Sequence, residues 1–386
     1  MIYFDNAATT FPKPPGLLDK VFNDLNQGMG TPGRGTHASA KRANDSISIV
    51  RKKVARFFGV IDDFRVAFTY SATDALNMAI KGFINEGDRV LISKMEHNSV
   101  LRPLRRLEQD GKIKLDFIEC DMDGYIKWDD FVSKMELNPR LVIVSHASNV
   151  TGALQPIRQI GEFVRKNGAY FLVDAAQTAG VYPIHMSNDF IDLLAFTGHK
   201  NLFSLQGVGG LILGERITRL RPWREGGTGY NSEAELQPAN WPEAFEAGTF
   251  NVPGIQSLGY GIDFINEVGM DTIRQKHHYL IEKLWGKLEL NDEIILYGPT
   301  PDQERVAVIS FRVKGWDSED IGDILNRNYD VFTRTGIQCA PLAHKTIGTI
   351  KDGTVRISPG YFSTEEDVKV FLRAIKNITA TKVGWE

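Results

Sequence analysis

"AYFLVDAAQ", residues 169–177, is the stretch on which the fold turns. It is a short β-rich run that ends on a carboxylate, Asp174, among small and apolar residues. Six further runs of the same kind occur: "RVAFT" (65–69), "RVLIS" (89–93), "KLDFIEC" (114–120), "LVIVSH" (141–146), "DLLAFTG" (192–198) and "GGLILG" (209–214). Helical patterns lie between several of them. "ATDALNMAIKGFI" (72–84) and "IRQIGEFVRKNG" (157–168) repeat apolar residues at three- and four-residue spacing, and the second stops on Gly168. Strands alternating with helices predict an α/β fold with a mostly parallel, seven-stranded sheet covered on both faces. Such sheets bind ligands beyond the C-terminal ends of their strands. The polar residues after the strands are therefore the candidates for function.

The pattern breaks from about 222 to 254, where "REGGTGYNSEAELQPANWPEAFEAGTFNVPG" is rich in Gly, Pro and Asn. Long irregular connections of this kind tend to be functional or interfacial. A helix resumes at "GIQSLGYGIDFINEVG", and the pair His277–His278 reads as a solvated helix face. A second region follows, with strands over 305–313, 329–334 and 354–359, a helix over 317–328, and a final helix whose "STEE" start offers Ser363 and Glu366 as a capping box. A chain of 386 residues suggests two domains. The expected division is a large domain over 12–250 and a smaller α+β domain built from 1–11 and 251–386.

Chemistry concentrates at the strand ends. In "FTGHKNLF", Lys200 follows a strand and a glycine turn. A lysine desolvated on one side has a lowered pKa and a nucleophilic amine; a lone lysine is otherwise a surface residue. Asp174 needs a cationic partner if it is buried, unless it caps the next helix. A lysine that bonds an aldehyde and an aspartate facing a pyridinium nitrogen are the pairing that a pyridoxal phosphate enzyme requires. "YSATDAL" (70–76) passes from strand to helix, so the backbone N–H groups of Ala72 and Thr73 suit a phosphate, with the Thr73 hydroxyl as a further donor or as a plain cap. "EHNSV" puts His97 at another strand end, where an imidazole stacks on a flat ring or shuttles a proton.

Other classes of function find no support. A net charge of −3 gives no reason to expect nucleic acid or an anionic membrane as partner. No apolar run approaches the roughly 20 residues that span a bilayer, and "MIYFDNAATT" lacks the pattern of a signal peptide. No glycine-rich nucleotide loop, HExxH or CxxC spacing occurs, so neither a nucleotide nor a metal is expected. Two cysteines cannot build a disulfide framework, which makes a reducing, cytoplasmic setting the expectation. Cys120 ends an apolar strand, as a structural cysteine does. Cys339, in "RTGIQCAPLAHK" (334–345), stands where the chain is set to turn.

These stretches together resemble the pyridoxal-phosphate-dependent class V aminotransferases, in particular the branch of cysteine desulfurases and selenocysteine lyases. The resemblance runs from "IYFDNAATTFPKP" to "RISPGYFSTEED". It implies a fold-type-I enzyme in which Lys200 bonds the cofactor, Asp174 faces the pyridine nitrogen and Gln177 reaches the phenolic oxygen. By the same resemblance His97 lies on the ring, Asn149 is close to the phenolic oxygen and the substrate carboxylate, and Thr73, Thr197 and His199 hold the phosphate. "FEAGTFN" resembles the segment through which a second subunit completes the phosphate site by Thr249, which implies a homodimer. Arg356 in "GTVRISPGYF" matches the arginine that binds the substrate carboxylate, and Cys339 matches the sulfur-accepting cysteine, carried on a mobile loop.

The implied reaction removes sulfur from L-cysteine, giving L-alanine and a persulfide on Cys339, with a protein as the eventual sulfur acceptor. A thiolate is the soft nucleophile this chemistry needs. L-selenocysteine as substrate, another C–S lyase or a transaminase is the alternative, and a transaminase would have no use for the thiol. Five positions depart from the pattern: Ser71 and Phe250 replace a usual Gly and Pro, Ser204–Leu205 stands where Gly–Pro is common, and Gly33 stands where some relatives carry His. None removes a chemical group assigned above.

Overall fold

Four strands of the central sheet, Val66–Thr69, Leu141–Ser145, Leu193–Thr197 and Gly209–Leu213, are buried at every position. A strand covered on both faces has no solvent side, so its sequence is an apolar run without alternation. The computed structural model describes residues 1–33, 35–229 and 232–381; Tyr230 and Asn231, in the long connection, lie outside them.

In chain order the first half comprises β1 (Ile2–Tyr3), α1 (Leu17–Asn26), α2 (Ala38–Phe57), β2 (Val66–Thr69), α3 (Ala72–Phe83), β3 (Arg89–Ser93), α4 (Asn98–Gln109), β4 (Lys114–Ile118), α5 (Trp128–Met135), β5 (Leu141–Ser145), α6 (Ile157–Lys166), β6 (Tyr170–Asp174), β7 (Leu193–Thr197) and β8 (Gly209–Leu213). Then follow α7 (Val252–Val268), α8 (Met270–Leu288), β9 (Ile294–Tyr297), β10 (Ile309–Val313), α9 (Ser318–Tyr329), β11 (Val331–Phe332), α10 (Pro341–Thr346), β12 (Val355–Ile357) and α11 (Glu365–Thr381).

The seven-stranded sheet has the order β2-β8-β7-β6-β5-β3-β4. Only β8 runs against its neighbours, pairing antiparallel with β2 and β7; the other pairs are parallel. Cores fill both faces. One unites α2, α6 and α7 through Val50, Val54, Ile160, Val164, Ile255 and Leu258. The other lies under α3 and α4, through Leu76, Ile80, Val100 and Leu104. A three-stranded antiparallel sheet, β12-β10-β9, builds a separate core with α8, α9 and α11. The N-terminus joins this part of the chain, because β1 pairs with β11 at Ile2↔Val331 and Tyr3↔Phe332.

The structure corrects several local expectations. The strand expected over 305–313 is regular only over Ile309–Val313. Arg305 to Val308 are apolar or buried because they pack under the turn at Gly152, to whose carbonyl Val306 donates. The strand expected over 329–334 shrinks to Val331–Phe332, since α9 continues to Tyr329. The last helix is boxed by Thr364 and Asp367, each donating its N–H to the other's side chain, at 2.8 and 3.1 Å. Ser363 instead accepts from the Gly360 N–H. The His277–His278 pair is split: successive helical residues point about 100° apart, so His277 is buried in the α8 face while His278 stays exposed beside Glu282. Among the described residues no helix is long and apolar enough to cross a membrane.

Candidate active site

The C-terminal ends of β2, β3, β5, β6 and β7 converge on one cavity of about 520 Å³. Every candidate except Thr249, Arg356 and Cys339 lines it: Ala72, Thr73, His97, Asn149, Asp174, Gln177, Thr197, His199 and Lys200. One rim is the start of α3. Ser71 caps that helix by accepting from the Asp74 N–H at 3.2 Å, which leaves Ala72 and Thr73 in the first turn, whose N–H groups have no partner within a helix. Gly209 makes this possible, because a Cβ there would lie 2.9 Å from the Ser71 carbonyl carbon. The Thr73 hydroxyl shares a 2.7 Å hydrogen bond with Ser99 Oγ.

His97 caps α4: its Nδ1 accepts from the Ser99 N–H at 3.1 Å and meets Ser99 Oγ at 2.8 Å. Accepting at Nδ1 leaves the ring proton on Nε2. Burial first, and then the charges of Lys200, Arg356 and Arg102, push its pKa down to about 4, so the imidazole is neutral near pH 7. The turn before it hangs on Glu96, fully buried, which accepts from Ser93 Oγ (2.5 Å), the Ser145 N–H (2.9 Å) and Ser145 Oγ (2.8 Å). Ser145 is the register partner of Asp174.

Asp174 is buried and accepts from the Ala176 N–H at 2.9 Å. Burial raises its pKa, while that hydrogen bond and the Lys200 charge oppose the rise. Lys200 is partly exposed as a whole residue, but its amine is desolvated. Burial pushes its pKa down to about 8 against the pull of Asp174. Gln177 Nε2 donates to the Ala7 carbonyl at 3.1 Å. Thr197 Oγ1 and His199 Nδ1 are buried and find no hydrogen-bond partner among the described residues. Buried polar atoms of this kind ordinarily have one, so these two fit a bound acceptor or donor such as a phosphate.

Arg356 and Cys339 reach the same place from the other part of the chain. Arg356 is buried, donating Nη1 to the Asn149 carbonyl and Nη2 to Asp5 Oδ1, both at 3.0 Å. Arg334 holds the other Asp5 oxygen at 2.8 Å. Cys339 is exposed, and a thiolate there would raise the pKa of both Lys200 and Arg356. Its turn is anchored rather than free: Asn98 N–H donates to the Cys339 carbonyl and Asn149 Nδ2 to the Gln338 carbonyl, each at 2.7 Å. Cys120 differs in every respect, being buried with its pKa pushed up to about 12. Thr249 is exposed outside the cavity, its carbonyl bound by the Tyr70 hydroxyl at 3.0 Å.

Sequence reasoning passed over Glu96, Ser99, Asp5 and Gln338. Glu96 and Asp5 had a signal, since each is an acid inside a motif already singled out, "EHNSV" and "YFDNAATT". Ser99 and Gln338 carry no charge, and their links to Thr73 and Thr354 join positions distant in sequence.

The aminotransferase class-V family model matches residues 2–371. A "Probable cysteine desulfurase" of Pyrococcus abyssi is 31% identical over 98% of this chain and 94% of its own. A "Cysteine desulfurase" of Salmonella agona is 29% identical over 98% of this chain and 93% of its own. Among solved structures, the apo cysteine desulfurase of Thermococcus onnurineus superposes with a TM-score of 0.92 at 30% identity, covering 98% of this chain and 95% of that one. The fold, the cavity at the strand ends and these likenesses agree: the chain belongs to the class-V aminotransferase family.

Proposed function

We propose that this chain is a pyridoxal-phosphate-dependent cysteine desulfurase, which converts L-cysteine to L-alanine and leaves a persulfide on Cys339. The observation that carries this reading is a cavity lined by a desolvated lysine and a buried aspartate, with the turn of an exposed thiol tied to its wall through Asn149. Bound pyridoxal phosphate supplies an electron sink that acidifies the substrate Cα proton.

The chain's own residues do the rest. The first-turn amides of α3, Thr73, Thr197 and His199 hold the phosphate, and Thr249 of a second copy completes that site. Asp174 fixes the ring nitrogen, Gln177 and Asn149 the phenolic oxygen, and His97 lies on the ring as a neutral imidazole. Arg356 binds the substrate carboxylate, with Asn149 beside it. Lys200 would hold the cofactor through its amine and is placed to take the Cα proton; with a pKa near 8 its amine is far more often free at neutral pH than an ordinary lysine.

The Cys339 thiolate then attacks the substrate sulfur. The S–S bond forms as the Cβ–S bond breaks, the electron pair stays with Cβ, which takes up a proton, Lys200 returns a proton to Cα, and L-alanine leaves. Thiol reductant or a sulfur-acceptor protein later removes the terminal sulfur. Residues 12–250 form the cofactor-binding domain in this reading, and 1–11 with 251–386 form the domain that brings in Cys339 and Arg356. Nothing at the site favours transamination, in which the thiol would be idle.

Lys200→Ala tests the cofactor assignment. The variant is expected to fold, because Lys200 makes no ion pair among the described residues, and to lose alanine production by at least about 100-fold. Alanine formation at the wild-type rate would remove Lys200 from the mechanism.

A further inference from the structure

The turn that carries Cys339 adopts a conformation its residues disfavour. Gln338 has a φ of +42° and Cys339 a φ of +59°, and non-glycine residues hold the left-handed region only where the surroundings enforce it. The enforcing contacts gather on Gln338. Its side chain is buried, with Nε2 donating to the Thr354 carbonyl at 2.9 Å. Its Oε1 accepts from His344 Nε2 at 2.8 Å and from Thr354 Oγ1 at 3.3 Å. His344 is itself fully buried and fixed at Nδ1 by Thr349 Oγ1 at 2.7 Å. Because Gln338 Oε1 can only accept, the His344 ring proton sits on Nε2.

The backbone of the turn is tied to the opposite wall. Asn149, which lines the cavity, donates to the Gln338 carbonyl. Asn98, next to His97, donates to the Cys339 carbonyl. One residue thus links the cavity wall to the strand end at Thr354, and the thiol is its immediate neighbour. Nucleophilic attack needs the reacting atoms about 3–3.5 Å apart and aligned, and a misplacement of about 1 Å costs on the order of 100-fold in rate.

We propose that Gln338 is the positioning residue for sulfur transfer: its hydrogen bonds to His344 and Thr354 hold Cys339 in line with the substrate sulfur, without contributing to substrate binding. The proposal rests on the reading of Cys339 as the sulfur acceptor. It separates two properties that a general loss of structure would move together.

Gln338→Met keeps the length of the side chain and removes its donor and its acceptor. In a single turnover with L-cysteine, persulfide formation on Cys339 is expected to slow at least tenfold. The affinity for L-alanine, read from the cofactor absorbance, is expected to stay within twofold. In protein stripped of cofactor, amide hydrogen exchange over 335–341 is expected to speed up about tenfold while the central sheet is unchanged. His344→Phe removes the donor to Oε1 and is expected to do the same; should Gln338→Met fail to fold, it carries the comparison. The double variant is expected to be no slower than the slower single variant, since each already breaks the bond between Gln338 and His344. Persulfide formation at the wild-type rate in the folded variants overturns the proposal, as does a parallel loss of transfer, affinity and melting temperature. A wild type that forms no persulfide on Cys339 would refute the functional reading instead.

Discussion

Arg356 is a cation with its partner already in place. Its guanidinium is buried against Asp5, and Asp5 is shared with Arg334. Burial lowers the Arg356 pKa and Asp5 opposes the fall; a guanidinium stays charged in proteins, here where a substrate carboxylate would arrive. Arg356→Leu leaves Asp5 paired to Arg334, and the protein is expected to fold. A charge-assisted hydrogen bond contributes about 1.5–3 kcal/mol, so KM for L-cysteine is expected to rise roughly 10- to 100-fold. Steady-state kinetics check this, and an unchanged KM would put the carboxylate elsewhere. The two cysteines make the same point by contrast. Burial first, and then the neighbouring carboxylates Glu96, Asp121 and Glu119, hold Cys120 protonated, whereas Cys339 is exposed.

At the scale of elements, Glu96 ties the turn after β3 to the end of β5, and through Ser145 to the strand that presents Asp174. Its pKa is pushed up to about 7, chiefly by burial and in smaller part by Asp174. In the unfolded chain the carboxyl ionises near 4.3. A raised folded pKa means that the stabilisation is complete below the unfolded value and is lost as pH rises through about 7. Glu96→Gln keeps the hydrogen-bonding shape without the proton. Between pH 5 and 8 its stability is expected to fall less than that of the wild type, by about 1–3 kcal/mol. Denaturation at several pH values measures this, and a constant gap would show that Glu96 does not titrate in that window.

Elements also mark the limit of what the sequence discloses. Four of the seven strands were legible because burial on both faces leaves a continuous apolar run. The same logic misled at 305–308, where residues are buried in a loop and look like a strand. Ser363 and Thr364 both suit a helix cap, and only the traced hydrogen bonds choose Thr364. Lys200, Asp174 and His97 could be singled out because strand ends in such sheets bind ligands. The clamp on Cys339 could not, since Gln338, Thr354 and Asn149 meet only through tertiary packing.

The whole molecule brings the turn that carries Cys339 against Asn149, on the wall of the cavity at the large sheet. It also leaves Thr249 exposed outside that cavity, with Leu18 and Phe22 of α1 exposed as well. A homodimer in which Thr249 serves the other subunit accounts for the first. Light scattering is expected to give twice the 43.2 kDa chain mass, and a stable monomer retaining full cofactor would contradict it. The central claim is that Cys339 takes sulfur from L-cysteine. Cofactor-loaded protein treated with L-cysteine in the absence of reductant, then digested and weighed, tests it most directly. The peptide containing Cys339 is predicted to gain one sulfur atom, about 32 Da, with L-alanine formed in equal amount, and Cys339→Ser is predicted to do neither. A persulfide on Cys120, or normal turnover of L-cysteine by Cys339→Ser, would contradict the account.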